Sequence, residues 1–254
     1  MSQWVFDIIE EIQASNDLFE VKRVLVKMRE HLGFSNVAYA IKTPVTFTRS
    51  SVLFVSDYSA EWIERYGQQG YVNLDPVALH CFNSQIPYHW KNANEGLKGD
   101  IYQFFGEAGE YNLCDGISIG MPHFDGKISL ISVASDKSLV QNSAQQRLAE
   151  ISLNALHPFM SERIGQLVKE PQHADSIILL TEREKTCLVW VAEGKTAHDI
   201  ATILSISEAT VVFHIKNSIH KLNVTNRSQA IAKAVLLGLI APQFSSNAVP
   251  TYHF

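Results

Sequence analysis

The chain has 254 residues, 46% of them apolar and 19% charged, a composition that fits a globular protein, excludes a disordered or collagen-like chain, and at this length favours two domains over one. Its three cysteines, Cys81, Cys114 and Cys187, are odd in number and lack CxxC spacing, so neither a disulfide framework nor a zinc site is expected and a reducing cytoplasm fits best. The net charge of −5 is unevenly placed: from Asp175 onward seven bases face six acids, leaving +1, so the first 174 residues carry −6.

The N-terminus mixes acids with apolar residues from its first turns, unlike a signal peptide, and no apolar run approaches the ~20 residues that span a bilayer. No membrane partner is therefore expected. Trp4 to Leu32 carries apolar positions at helical spacing, interrupted by Asn16-Asp17, which predicts two helices joined at that polar pair. Val37 to Ile41 and Ser51 to Ser56 read as strands separated by a Thr/Pro loop. Ala60 to Gln69 reads as a helix capped by Ser59. Gly116–Pro122 and Lys127–Ala134 flank Asp125-Gly126, a hairpin signal, and a long helix is predicted from about Ser143 to Val168. The fold class expected is α+β: an N-terminal α/β/α sandwich on an antiparallel sheet over 1–168, followed by a second domain of helices. The polar segment Lys169–Ser176 contains a proline and reads as the linker, and residues 245–254 as a mobile tail.

The second domain, 177–244, has its own helix signals. Thr181 precedes acids at a helix start, Cys187, Leu188 and Val191 share a face, and Gly194 ends that helix. A second helix from His198 to Leu204 stops at Ser205-Ile206-Ser207, and Ser207 caps a third reaching about Leu222. Three short helices with this turn describe a helix-turn-helix, whose last helix enters the major groove. The exposed candidates for base contact are Thr210, Val211, His214, Lys216 and Asn217, with Lys195, Thr196, Thr210, Lys221, Asn226 and Arg227 as further DNA-contact candidates, the last two at a fourth helix start that itself attracts phosphate. A helical bundle for protein contacts is the plainer alternative. The stretch from Leu180 to Ile240, with Glu184, Leu188, Gly194, Lys195, Ile200, Ala201, Thr210, Val211, His214, Lys221-Leu222, Asn226-Arg227 and Ala230, resembles the DNA-binding domain of LuxR-type regulators. Val212 and Ala209 depart from the basic or polar residues common there.

In the first domain Tyr58, Trp62, Tyr66, Tyr71, Asp75-Pro76 and Trp90 gather aromatics around one carboxylate. Core packing explains any one aromatic, but a carboxylate among them needs donors. Asp75 has two readings, the N-cap of a following helix and the acceptor of a ligand amide. The pattern Trp62, Tyr66, Asp75-Pro76, Trp90, Gly116 resembles the autoinducer-binding domain of the same family, which binds N-acyl-homoserine lactones. That resemblance implies that Trp62 donates to the lactone carbonyl and Asp75 accepts the amide N–H. It gives Tyr58 and Ser132 the acyl carbonyl region, makes Tyr66 and Trp90 walls, and adds Ser118 as a further contact. Residues 91–100 offer no pocket aromatic.

The expectation is a quorum-sensing transcription regulator that needs no cofactor, with promoter DNA, the autoinducer, a second copy of the chain and RNA polymerase as partners. The alternative is a family member that answers a non-lactone signal or none. The 143–168 helix is either a dimer surface or a cover for the sheet. No nucleophile–base arrangement, metal cluster or Gly-x-Ser-x-Gly elbow stands around His80, His89 or His123, so an enzyme is not expected.

Overall fold

A computed structural model describes residues 3–94, 99–140, 143–168 and 180–241. The expected linker 169–176 and tail 245–254 lie outside the described residues, as do 177–179 and 242–244. The chain forms two compact units, each described here by itself.

The first unit opens with α1 (Gln3–Ala14) and α2 (Leu18–Leu32), which break at the predicted polar pair because Asp17 caps α2, accepting from Glu20 N. Strands β1 (Asn36–Thr46) and β2 (Arg49–Ser56) follow. Most of the expected Thr/Pro loop is strand, turning only at Phe47-Thr48. Pro44 is tolerated there because it lies past Lys42, the last β1 residue paired with the neighbouring β5. Then come α3 (Ala60–Gln68), a 3₁₀ turn at Tyr71–Asn73, α4 (Pro76–Cys81), β3 (Tyr88–His89), α5 (Lys91–Asn94) and α6 (Asp100–Glu110). The hairpin of β4 (Asp115–Pro122) and β5 (Ile128–Ser135) leads to α7 (Ala144–Leu167), capped by Ser143.

The strands form one sheet in the order β2-β1-β5-β4-β3. Because side chains alternate along a strand, the β1–β5 register sorts them by face. Val37, Tyr39 and Ile41 stand opposite Val133, Ile131 and Ser129, while Ala38 and Ala40 stand opposite Ser132 and Leu130. The first face is large and aliphatic and packs under α1, α2 and α7, with Ile117, Ile119, Leu153, Leu156 and Met160 in the same cluster. Within it one polar knot survives: Ser129 Oγ lies 2.8 Å from Nε2 of both His123 and His157, and Tyr39 Oη 2.8 Å from Ser161 Oγ. Burial, followed by the charge of His123, pushes the His157 imidazole down to about 3. It is therefore neutral at pH 7 and structural.

The opposite face is built from small residues, Ala38, Ala40, Gly116, Ser118, Gly120 and Ser132, and this lets α4 and the Trp90 ring lie close to the sheet. A Cβ on Gly116 would stand 2.8 Å from the Trp90 ring, and one on Gly120 only 1.9 Å from the Cys81 carbonyl oxygen at the end of α4.

The second unit holds α8 (Glu182–Ala192), α9 (Ala197–Leu204), α10 (Glu208–Lys221) and α11 (Arg227–Leu236). Each begins at a side-chain cap. Thr181 with Glu184 and Thr196 with Asp199 form capping boxes, Ser207 accepts from Thr210 N, and Asn226 from Gln229 N. Gly194 and Ser205 take the left-handed conformation that ends α8 and α9. The buried Glu184 carboxylate receives Lys221 Nζ at 2.8 Å, tying α8 to the end of α10. Burial alone would raise its pKa, but the Lys221 ammonium and the Thr181 N–H hold it below the usual range.

Gly120→Ala should force α4 off β4 and destabilise the first unit by about 1–3 kcal/mol, the range for overpacking. A urea midpoint unchanged from wild type would contradict this close-approach argument.

Candidate functional site

Between the small-residue face of the sheet and the segments α3 to α6 lies a cavity holding about 850 Å³ of space between protein atoms, its open mouth included. Helix geometry supplies its aromatic wall: Trp62 and Tyr66, four apart on α3, have ring centroids 5.9 Å apart. Trp62 also lies 6.0 Å from Tyr71 and 5.9 Å from Phe104. An ion-pair clamp outside the cavity fixes these rings. Arg65 grips Glu107 through Nε and Nη2 at 2.9 and 3.0 Å, and Tyr71 Oη donates to Glu107 at 2.7 Å. The Arg65 hydrogen bond leads the effects that hold Glu107 down at about 2.

Asp75 stands at the centre and is the N-cap of α4, one of its two sequence-based readings. Its Oδ1 caps α4 by accepting from Val77 N at 2.8 Å, while Oδ2 accepts the Tyr66 hydroxyl at 3.0 Å. Asp75 also lines the cavity. Burial pushes its carboxyl up to about 6, with the Val77 and Tyr66 donors opposing the rise. Burial raises the Tyr58 and Tyr66 phenols, followed for Tyr58 by the charges of Asp57 and Asp75 and for Tyr66 by that of Asp75, so both are neutral donors at pH 7. Neither the Tyr58 hydroxyl nor the Trp62 indole N–H has a hydrogen-bond partner among the described residues.

Tyr58, Trp62, Tyr66, Asp75, Trp90 and Ser132 all line this one cavity. Ser118 does not. It is fully buried behind the wall, where its Oγ accepts the Trp90 indole N–H at 2.8 Å and lies 2.6 Å from Ser132 Oγ, so it touches two lining residues without lining the cavity itself. Ser118 shares the sheet face of Ser132, its partner in the register, but Trp90 covers it. The aromatic missing from 91–100 is supplied by Phe104 and Phe105 of α6, a helix that the sequence reading did not find. Phe54, Val72 and Lys42 were likewise missed.

The second unit carries the other candidate face, and one correction falls on α10. Val211 is 0% exposed and packs with Cys187, Ile200 and Ala201, because Val211, Ser218 and the following Leu222 form the face turned into the unit. Two residues on from Val211, about 200° around the helix, Phe213 is 59% exposed, and Val212 is 39% exposed. Ala209 and Lys216 are exposed beside them, while Thr210, His214 and Asn217 are half-buried at the flank. Lys195, Asn226 and Arg227 are exposed, and Thr196 and Asn226 serve as caps. Lys221 is engaged by Glu184, which makes its first role internal.

Among the described residues no His, Cys, Asp and Glu are grouped to hold a metal, and no helix is long and apolar enough to cross a membrane. His89 meets Glu150 at 2.8 Å and His80 stacks on Tyr88. The Ser129–His157 pair has no carboxylate behind it among the described residues, for His157 Nδ1 is unpartnered.

Two family models match the chain, "Autoinducer binding domain" over residues 17–164 and "Bacterial regulatory proteins, luxR family" over 179–234. Among curated proteins it is similar to the transcriptional activator protein AnoR of Acinetobacter nosocomialis, 31% identical and covering 94% of this chain and 100% of the relative. It is also similar to the transcriptional activator protein LuxR of Aliivibrio fischeri, 30% identical over 94% and 96% of the two chains. Among solved structures Escherichia coli SdiA superposes with a TM-score of 0.76 at 26% identity, covering 94% of this chain and 98% of that one. SdiA has also been solved in complex with octanoyl-rac-glycerol, with a TM-score of 0.75 at 25% identity over 93% and 95% of the chains. With a polar-centred aromatic cavity in one unit, a helix-turn-helix in the other, and transcriptional activators matched along their length, the chain belongs to the LuxR family: it is a quorum-sensing transcription regulator with an autoinducer-binding and a DNA-binding domain, and not an enzyme.

Proposed function

We propose that this regulator binds an N-acyl-homoserine lactone in the cavity of residues 1–168 and, as a homodimer, presents two helix-turn-helix units of residues 177–244 to promoter DNA in the cytoplasm, where RNA polymerase is its further partner. The observation that carries the reading is the donor and acceptor set around Asp75. One carboxylate acceptor and two donors without a described partner, Trp62 Nε1 and Tyr58 Oη, meet in a slot whose other lining side chains are mostly apolar. An acyl lactone presents the complement: one amide N–H, two carbonyls and an alkyl chain. Asp75 accepts the amide N–H, Trp62 donates to the lactone carbonyl, and Tyr58 with Ser132 takes the acyl carbonyl. Tyr66 and Trp90 are walls whose polar tips are already engaged by Asp75 and Ser118.

A ligand held only by the folded protein stabilises it by about 2.7 kcal/mol at a hundred times its Kd. Dimerisation follows from the shortness of one recognition helix, since two half-sites read more bases than one. Leu148, Ile151 and Phe159 remain exposed on α7 while its other side covers the sheet, and they are the surface assigned to the second copy. On the DNA, Ala209, Val212, Phe213 and Lys216 face the groove, with Thr210, His214 and Asn217 at its edge. Lys195, Thr196, Asn226 and Arg227 meet phosphates, the last two at the N-terminus of α11. The apolar pair Val212 and Phe213 suits thymine methyl groups, for apolar side chains read that feature of the major groove.

Asp75→Asn keeps an oxygen for Val77 but offers a donor where the ligand amide needs an acceptor. Both it and Trp62→Phe should weaken lactone binding at least about tenfold, or 1.4 kcal/mol, in thermal melts over an acyl-lactone panel. Wild-type response to the panel from both variants would remove the pocket roles, and a wild-type protein stabilised by no lactone would remove the ligand class. Lys195→Ala should weaken promoter binding and lower the salt slope by about 1, as the loss of a phosphate contact requires, whereas Phe213→Ala should change sequence preference at an unaltered slope. Anisotropy titrations that find neither change would contradict the assigned face.

A further inference from the structure

Along β1 the residues lining the cavity are Ala38, Ala40 and Lys42, alternate positions of one strand face that stand opposite Ser132, Leu130 and Ile128 of β5. The polar end of the cavity lies at the start of this row. Asp57 N donates to Val37 O and Val37 N to Asp57 Oδ1, which brings Tyr58 beside Ala38. Lys42 stands four residues further, about 13 Å along the strand. Helix α4 runs between the same two ends, from its cap Asp75 to Phe82 just past its last turn. There Lys42 Nζ lies 4.6 Å from the centroid of the Phe82 ring. Among the described residues Lys42 is the one cation in the cavity wall, and it has no ion-pair partner there. Most of the other lining residues are apolar, Ala40, Val52, Ala78, Phe82 and Leu130 among them.

We propose that Lys42 reads the far end of the acyl chain, so that the cavity selects a chain ending in an oxygen acceptor, carboxylate or hydroxyl, over one ending in bare alkyl. The inference rests on the lactone reading above and specifies its ligand. A methyl terminus laid against the ammonium strips its water and returns no hydrogen bond, and the Phe82 face replaces that water only in part. An oxygen acceptor restores the lost contact as a charge-assisted hydrogen bond. Ala38 and Ala40 leave the path from the polar end to Lys42 open, so a chain can reach it along the strand.

The test uses the full chain and two probes of equal length: N-octanoyl-homoserine lactone and the lactone acylated by one end of octanedioic acid, with affinities taken from ligand-dependent melting. Wild type should prefer the carboxylated probe by about tenfold, a preference that shrinks as salt rises, and Lys42→Met should reverse the ranking. Equal or tighter wild-type binding of the octanoyl probe overturns the proposal, as does a Lys42→Met protein that keeps the wild-type ranking. The wild-type ranking alone decides should the variant not fold. Octanoyl binding without tail discrimination sinks only the role of Lys42, whereas binding of neither probe sinks the lactone reading and this inference together.

Discussion

The first unit depends on one carboxylate that serves fold and site together. A carboxylate in an aromatic slot is expensive to bury, and Asp75 is tolerable there because the Val77 N–H and the Tyr66 hydroxyl each occupy one of its oxygens. The first bond starts α4, which forms the cavity wall, and the second holds a ring of α3 against it. These donors do not exhaust a carboxylate's lone pairs, and the reading proposed above gives the remaining capacity to a ligand amide. The high pKa of Asp75 records the same imbalance: without a further donor the ionised form is under-solvated.

The sheet makes room for this arrangement by having two unlike faces. Its aliphatic face, from Val37, Tyr39 and Ile41 across to Ile131 and Val133, is filled by α1, α2 and α7. Its other face is small-residue ground, where Gly120 lets α4 touch the strand and Gly116 lets Trp90 lie flat. A protein with large residues on both faces would be a stable sandwich without a ligand site. In the second unit the corresponding constraint is capping. Four helices of 8 to 14 residues are too short to persist alone, and side-chain caps at each start with one buried Glu184–Lys221 tie fix where they begin and how α8 meets α10.

Much of this was legible in the sequence wherever a local signal exists. Ser59, Ser143, Thr181, Ser207 and Asn226 each precede a helix because a side-chain oxygen satisfies an exposed backbone N–H, and all five are the observed caps. The cluster of Trp62, Tyr66 and Asp75 was visible as aromatics around an acid. What stayed hidden depends on long-range register. Ser118 and Ser132 are both strand serines on one sheet face, and only the Trp90 indole, which covers Ser118, keeps it out of the cavity wall. Helix α6 follows Gly99 and has no side-chain cap, so its start carried no signal and Phe104 and Phe105 went unnoticed. Val211 was placed one face wrong because Thr210 and His214, which flank it, are partly exposed, and only packing against Cys187 and Ile200 decides which of the neighbours turns inward.

The most direct test of the account is the pH dependence of lactone affinity. A ligand amide donating to Asp75 favours its ionised form, so binding should lower a carboxyl pKa that stands at about 6 in the free protein, and ligation below that pH should release a proton. Affinity for N-octanoyl-homoserine lactone, followed by titration calorimetry, should then be level above pH 7 and fall about tenfold between pH 7 and pH 5, with no such fall in Asp75→Asn. An affinity that stays level from pH 7 to pH 5 in wild type would contradict the claim that Asp75 is the acceptor around which the sensor is built.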